Sequence, residues 1–141
     1  MHPNEGWEHF WHMADIGVRG WGTSIETAFE RVGVALTAVV TDPGRVRPKT
    51  EVAISCSESD HELLLMDWLN ALIYEMAVKK MLFSQYRVRI HGERLRSIAR
   101  GEEVDVGRHQ PAVEIKGATA TCLEVSRTES GLWQAQCVLD V

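Results

Sequence analysis

Leu132-Trp133-Gln134-Ala135-Gln136-Cys137-Val138-Leu139-Asp140-Val141 sets Trp133, Ala135, Cys137 and Leu139 against Gln134, Gln136, Val138 and Asp140. A period of two over this length turns one side of a β-strand into a core. Glu129-Ser130-Gly131 just before it is a turn signal, so the β-prone run 119–126 and the stretch 132–140 read as a hairpin. A hairpin commits its sheet to antiparallel pairing. The same alternation recurs upstream. Thr50 to Ser57 places Val52 and Ile54 on one face, and Tyr86 to His91 sets Tyr86, Val88 and Ile90 against Arg87, Arg89 and His91. Ala112 to Ala118 is a further β-prone run, separate from 119–126 or continuous with it as one bent strand. Trp7 to Val18 also reads as extended, with Gly17, Gly20 and Gly22 marking bends.

Two segments switch to the helical period. Thr23-Ser24-Ile25-Glu26 has capping-box spacing with Thr23 as the cap. Behind it Ile25, Phe29, Val32, Leu36 and Val39 recur at three- and four-residue steps, until Thr41-Asp42-Pro43-Gly44 stops the helix. The second helix opens similarly at Ser59-Asp60-His61-Glu62. Its stripe of Leu63, Leu64, Met66, Leu69, Leu72, Ile73 and Met76 is wide, which predicts that it is the more deeply packed of the two. Strands outnumber helices and do not alternate with them. The expected class is α+β, mostly antiparallel sheets packed with two main helices, in one domain over 1–141.

Composition narrows the function. In 141 residues, 45% are apolar and 25% charged, an ordinary globular balance. No apolar run approaches the length that spans a bilayer, and Met1 to Gly6 lacks the pattern of a secretory signal, so a cytoplasmic protein with no membrane partner is expected. Cys56, Cys122 and Cys137 form no C-x-x-C pair and read as small buried hydrophobes in a reducing compartment. The net charge of −5 lacks the basic surplus of a domain that grips nucleic acid by itself. Lys79, Lys80, Arg87, Arg89, Arg94, Arg96, Arg100 and Arg108 nevertheless gather in one stretch, interrupted by Glu93, Glu102, Glu103 and Asp105. That cluster reads as a solvated face, with docking of an acidic or RNA-loaded partner as the alternative. The five tryptophans read as core and rim packing.

The chemistry-bearing candidates are sparse. Asp15 brings a charge into the apolar run His12-Met13-Ala14-Asp15-Ile16-Gly17-Val18, and Asp140 sits next to Val141 at the close of the last strand. If the strands carrying them lie side by side, Asp15, Asp140 and the Val141 carboxylate converge as three anionic oxygen ligands. Such a cluster needs a cation, and all-oxygen ligation suits Ca²⁺, Mg²⁺ or Mn²⁺ rather than zinc. His9, His12 and Asp15 are spaced three apart, which on an extended strand makes their side chains diverge. His12 alone is placed to orient Asp15. Lys116 is a lone cation in a β-prone run, a charge that guards a sheet edge. No nucleophile elbow, P-loop or dinucleotide fingerprint is present.

His12-Met13-Ala14-Asp15-Ile16-Gly17-Val18 with Trp21-Gly22 and the helix from Ile25 to Phe29 resembles the N-terminal signature of the archease family. Leu63-Leu64-Leu65-Met66-Asp67-Trp68-Leu69-Asn70-Ala71-Leu72-Ile73-Tyr74 is similar to the family's LLxDWLNxLLY helix, and Glu114-Ile115-Lys116-Gly117-Ala118-Thr119 to its EVKAVT strand. Leu139-Asp140-Val141 matches the family's aspartate-containing C-terminus. The four segments occur in the family's order over nearly the whole chain.

The resemblance implies a non-catalytic, metal-binding accessory of an RtcB-type RNA ligase, active in tRNA splicing and RNA repair. Such ligases join 2′,3′-cyclic phosphate or 3′-phosphate ends to 5′-hydroxyl ends. Archeases promote guanylylation of the ligase's histidine with GTP and Mn²⁺ and so restore multiple turnover. The divalent metal ion (Ca, Mg or Mn) is expected at Asp15, Asp140 and Val141, with His12, Asp67 and Lys116 as supporting or partner-contacting residues. RNA is expected to be reached only through the ligase. Thr119-Ala120-Thr121 departs from the family's TYH, leaving Thr121 where a histidine is usual. The rival classes are a small metal-dependent phosphoester hydrolase and a general chaperone or scaffold.

Overall fold

A computed structural model describes residues 4–141; Met1, His2 and Pro3, part of the stretch read above for a secretory signal, lie outside the described residues. The strands are β1 Gly6–His12, β2 Asp15–Gly22, β3 Thr50–Ser57, β4 Met81–His91, β5 Arg94–Glu103, β6 Gly117–Ala118, β7 Glu124–Arg127 and β8 Trp133–Asp140. The helices are α1 Ile25–Val40, α2 His61–Lys79 and the single turn α3 Val106–His109. One sheet runs β1-β2-β8-β6 with β7 also on β8, the other runs β3-β5-β4, and every pairing is antiparallel. Both helices touch strands of both sheets and lie between them. The expected α+β class is what the chain adopts.

The C-terminal hairpin forms as the alternation predicts, with Glu124 opposite Gln136 and Arg127 opposite Trp133. Ala135, Cys137 and Leu139 are buried. Its first arm is shorter than the β-prone run. Cys122 takes a left-handed φ of 55° in a turn, so pairing resumes only at Glu124. Cys122 is accordingly exposed and Cys56 half-buried; only Cys137 matches the expected burial. The run Ala112 to Ala118 contributes only Gly117–Ala118 as strand. Residues before it form no regular strand, although the Ala112 amide donates to Val40 O and the Lys116 amide to Asp140 O.

The N-terminal stretch is a hairpin turning at Met13 and Ala14, with Met13 at φ 57°. Gly17, Gly20 and Gly22 are not bends; all three lie inside β2. Gly20 is there for proximity. A Cβ on it would come within 2.6 Å of Ala28 O and Val32 N on the backbone of α1.

Both helix starts are displaced by one residue from their sequence reading. Ser24, not Thr23, caps α1, accepting from the Thr27 amide at 3.1 Å. β2 remains paired through Gly22, opposite Trp133, and that pairing fixes where the helix can begin. Asp60, not Ser59, caps α2, accepting from the amides of Glu62 and Leu63. Glu62 does not fold back as a capping-box residue; its carboxylate accepts from the Val125 amide and pins β7. The depth order is also reversed. α1 buries more than half its length, Gly33 and Thr37 included, whereas α2 buries only Leu64, Leu65, Trp68, Leu69, Leu72 and Ile73. The longer stripe belongs to the helix with an exposed flank, where Tyr74 and Leu63 reach solvent.

β5 is the middle strand of its sheet, and the alternation rule did not single it out. Its inward positions are Leu95, Ser97, Ala99 and Gly101, too small and mixed to read as an apolar face. Ser97 is satisfied in the core: it accepts from Trp68 Nε1 at 2.9 Å and donates to Ile54 O.

The charged stretch around residue 102 is not uniformly solvated. Glu102 is buried and takes a two-pronged contact from Arg108, whose NH1 and NH2 reach its two oxygens at 2.6 and 2.9 Å. It also accepts from the Arg47 amide, and His109 Nε2 lies 3.0 Å away. His109 Nδ1 accepts from the Asp105 amide, so the neutral ring with its proton on Nε2 satisfies both contacts. Arg108, then the Arg47 amide, holds the Glu102 carboxyl well below the usual carboxylate range.

Two outcomes follow. Gly20→Ala is expected to destabilise by about 1–3 kcal/mol in thermal melts, since the helix backbone must move. Gly44→Ala, whose added carbon meets only the Asp42 side chain at 3.3 Å, is expected to melt near wild type. For Glu102, a lowered carboxyl stabilises the fold above the ordinary carboxylate range, and that stabilisation is lost as the pH falls. Urea midpoints from about pH 7 to about pH 3 should therefore drop more steeply for wild type than for Glu102→Gln.

Candidate functional site: a carboxylate row at one sheet end

β8 carries hydrogen-bonded neighbours on both sides, and its end decides which residues meet. β1 pairs with β2 so that His12 lies opposite Asp15. β2 pairs with β8 through Ile16 opposite Leu139, and one further step of that register sets Asp15 opposite Asp140. β6 pairs with β8 through Gly117 opposite Asp140. Residues directly opposite in an antiparallel sheet share a face. His12, Asp15 and Asp140 therefore stand in one row across three strands.

The chain end is tied down rather than frayed. The Lys116 amide donates to Asp140 O at 2.7 Å, and the Val141 side chain packs against the core. Asp15 is half-buried and Asp140 exposed, and neither forms an ion pair among the described residues. No group of three or more His, Cys, Asp or Glu side chains among the described residues could hold a metal. The row by itself supplies two carboxylates, oxygen donors of the kind that suits a hard divalent cation.

The other sequence candidates separate. His9 Nε2 lies 2.8 Å from Ala35 O, so His9 is engaged with α1 and diverges from His12 as strand geometry requires. Lys116 is exposed beside Asp140 at the edge of the row. Asp67 is elsewhere, on α2 against Glu58 and Cys56. Its hydrogen bond and like charge push the Glu58 carboxyl up, and burial followed by the Asp67 charge pushes the Cys56 thiol up. Beside the row, Trp11 and Met13 are 78% and 91% exposed, which sequence reading missed by assigning the tryptophans to packing and rim.

Asn70 is the second residue missed. Its Oδ1 accepts from the Ala118 amide at 2.9 Å and its Nδ2 donates to Ala118 O at 3.3 Å. One side chain on α2 thereby clamps β6 against β8. The available signal was a polar residue in an apolar helical stripe, which marks an interruption but names no partner.

The Archease protein family model matches residues 7–141, which include every member of the row. The chain belongs to the archease family. It is 36% identical to the archease of Pyrococcus furiosus and 37% to that of Thermococcus gammatolerans, each alignment covering 96% of this chain and 98% of the relative. The solution structure of Methanobacterium thermoautotrophicum protein 1598 superposes with a TM-score of 0.84 at 31% identity, covering 96% of this chain and 99% of that one. A Thermotoga maritima archease described as a possible chaperone shares the fold at a TM-score of 0.63 and 19% identity, over 95% of this chain and 96% of that one.

Within the archease frame, Thr121 has a defined place. Its carbonyl accepts from the Val138 amide at 3.1 Å, while Thr119 Oγ1 donates to Val138 O. The backbone of this loop thus stays fastened to β8 through Thr119 and Thr121. No helix among the described residues is long and apolar enough to cross a membrane.

Asn70→Ala is expected to cost about 1 kcal/mol. Hydrogen exchange should speed up at Ala118 and Lys116 while the β3-β5-β4 sheet stays protected.

Proposed function

We propose that this archease is a non-catalytic accessory of an RtcB-type RNA ligase, acting through the row end of its β1-β2-β8-β6 sheet. The observation that carries the reading is Asp15 beside Asp140 with no cationic side chain among the described residues paired to either, flanked by exposed Trp11 and Met13. Asp15, Asp140 and the Val141 carboxylate would hold a divalent cation. Bound there, Ca²⁺, Mg²⁺ or Mn²⁺ neutralises the carboxylates and offers positive charge to an anionic group. Trp11 supplies the apolar anchor that protein interfaces concentrate their energy in. His12, opposite Asp15, orients its carboxylate. Docking of this edge favours the ligase conformation competent for guanylylation with GTP and Mn²⁺, so that the ligase turns over repeatedly in tRNA splicing and RNA repair. In this reading the archease contributes no nucleophile, RNA is reached through the ligase, and the protein works in the cytoplasm.

The test is RNA ligation under multiple-turnover conditions with the host's own ligase. Wild type is expected to stimulate; Asp15→Ala and Asp140→Ala are expected to lose at least about 10-fold of the stimulation, the scale of lost charge-assisted contacts. Trp11→Ala should weaken stimulation while leaving Mn²⁺ binding, followed by calorimetry, unchanged. Equal stimulation by all of these proteins would falsify the reading. Phosphodiester hydrolysis by the isolated protein, abolished in Asp15→Ala, would favour a hydrolase instead.

A further inference from the structure

The outer face of the β3-β5-β4 sheet is lined by arginine, and the register shows how regularly. Opposite pairs on this face are Arg94 with His91 and Ser57, Arg96 with Arg89 and Ser55, Ile98 with Arg87 and Ala53, and Arg100 with Gln85 and Glu51. Glu51 is the one carboxylate in these rows, and it is consumed by Arg100, with contacts of 2.8 and 2.7 Å. Arg87, Arg89, Arg94 and Arg96 make no ion pair or side-chain hydrogen bond among the described residues. A chain of net charge −5 thus carries, on two adjacent strands, four guanidinium groups without an ion pair among the described residues, Arg89 alone acting on a nearby carboxylate, that of Glu30.

A second observation points to an anion. Where Phe83 and Gln85 shift register, Ser84 lies in the β-bulge of β4. Beside it a hollow of about 250 Å³ is lined by Arg31, Ser84, Gln85, Arg87 and Arg100, among others. Two of its lining residues, Arg31 and Ser84, each hold a buried polar atom, Nε and Oγ, with no hydrogen-bond partner among the described residues. Three guanidinium groups, those of Arg31, Arg87 and Arg100, line the same hollow, which suits an oxyanion within it. Arg87 and Ile98 also line a second hollow of about 220 Å³ with Arg89 and Arg96, so the two adjoin along the face.

We propose that this face binds the phosphodiester backbone of a single-stranded nucleic acid. Alternate residues on one strand face are about 6.6–6.8 Å apart, a step that a flexible phosphate chain can follow. Arginine's planar fork matches phosphate oxygens in pairs. The floor between the arginines is Ala53, Ser55, Ser57 and Ile98, which offers neither an aromatic platform for stacking bases nor an apolar centre for a protein partner. Binding is therefore indifferent to sequence and strongly salt-dependent. This goes beyond the function proposed above, which leaves RNA to the ligase, and it depends on neither the ligase nor the carboxylate row.

The test uses the isolated full chain and a short fluorescein-labelled oligouridylate, followed by anisotropy. Four phosphate contacts on a single strand predict a loss of about 50-fold between about 50 and 200 mM salt. Replacing Arg87, Arg89, Arg94 and Arg96 together by glutamine is expected to remove at least about 10-fold of the low-salt affinity, with circular dichroism unchanged. The four lysine replacements should bind between wild type and the glutamine variant, because the charge stays while the paired fork is lost. Asp15→Ala should bind like wild type. The proposal is overturned by absence of binding at low salt, by undiminished binding in a folded glutamine variant, or by an equal loss in Asp15→Ala. It is also overturned if polyglutamate displaces the probe at lower concentration than unlabelled oligouridylate does, since the face would then be a protein-docking surface.

Discussion

Strand β8 needs backbone partners on both of its edges, and the molecule is arranged around meeting that need. β2 occupies one edge; β7, the loop at Thr119 to Thr121 and β6 divide the other. Because an unpaired buried amide or carbonyl costs as much as a lost hydrogen bond, each neighbour is pinned from outside the sheet. Glu62 fixes β7, Asn70 clamps β6, and the approach of α1 over Gly20 holds β2. α1 and α2 are therefore more than filling between the sheets. They position the strand pairs that bring the two aspartates together.

The two charged features belong to different sheets and differ in kind. The carboxylate row is an end effect: three strands terminate at one level, and residues far apart in the chain become neighbours. The arginine face is a repeat effect, in which alternate positions of β4 and β5 bring Arg87, Arg89, Arg94, Arg96 and Arg100 to one side of the sheet. An averaged net charge conceals both. An acidic chain can thus carry a carboxylate row on one sheet and an arginine-lined face on the other, with helices between them.

Much of this was legible in the residues. Alternation in 132–140 and 50–57 gave both strands and their buried sides, and the helical period located both long helices. The two aspartates stood out as charges in apolar company, and their spacing from the chain ends made their meeting worth asking about. Less legible was anything fixed by a distant neighbour. Ser24 caps α1 where Thr23 was equally able to, because β2 stays paired through Gly22, and Asp60 takes the cap of α2 in place of Ser59. β5 escaped notice since Ser97 is made acceptable inside by Trp68 and Ile54, a fact about contacts. Glu102 and Arg108 looked solvated because a charge in sequence carries no sign of the partner that buries it.

By itself, then, the sequence determined the element types, the antiparallel class, the archease resemblance and the identity of the carboxylates, since these rest on local periodicity and residue chemistry. The tertiary structure alone decided that Asp15 faces Asp140, that Asp67 does not join them, that Asn70 is a clamp, and that the arginines share one outer face. The reason is register. A single-residue slip between two strands turns every side chain to the other side, and what prevents it is packing between elements remote in the chain.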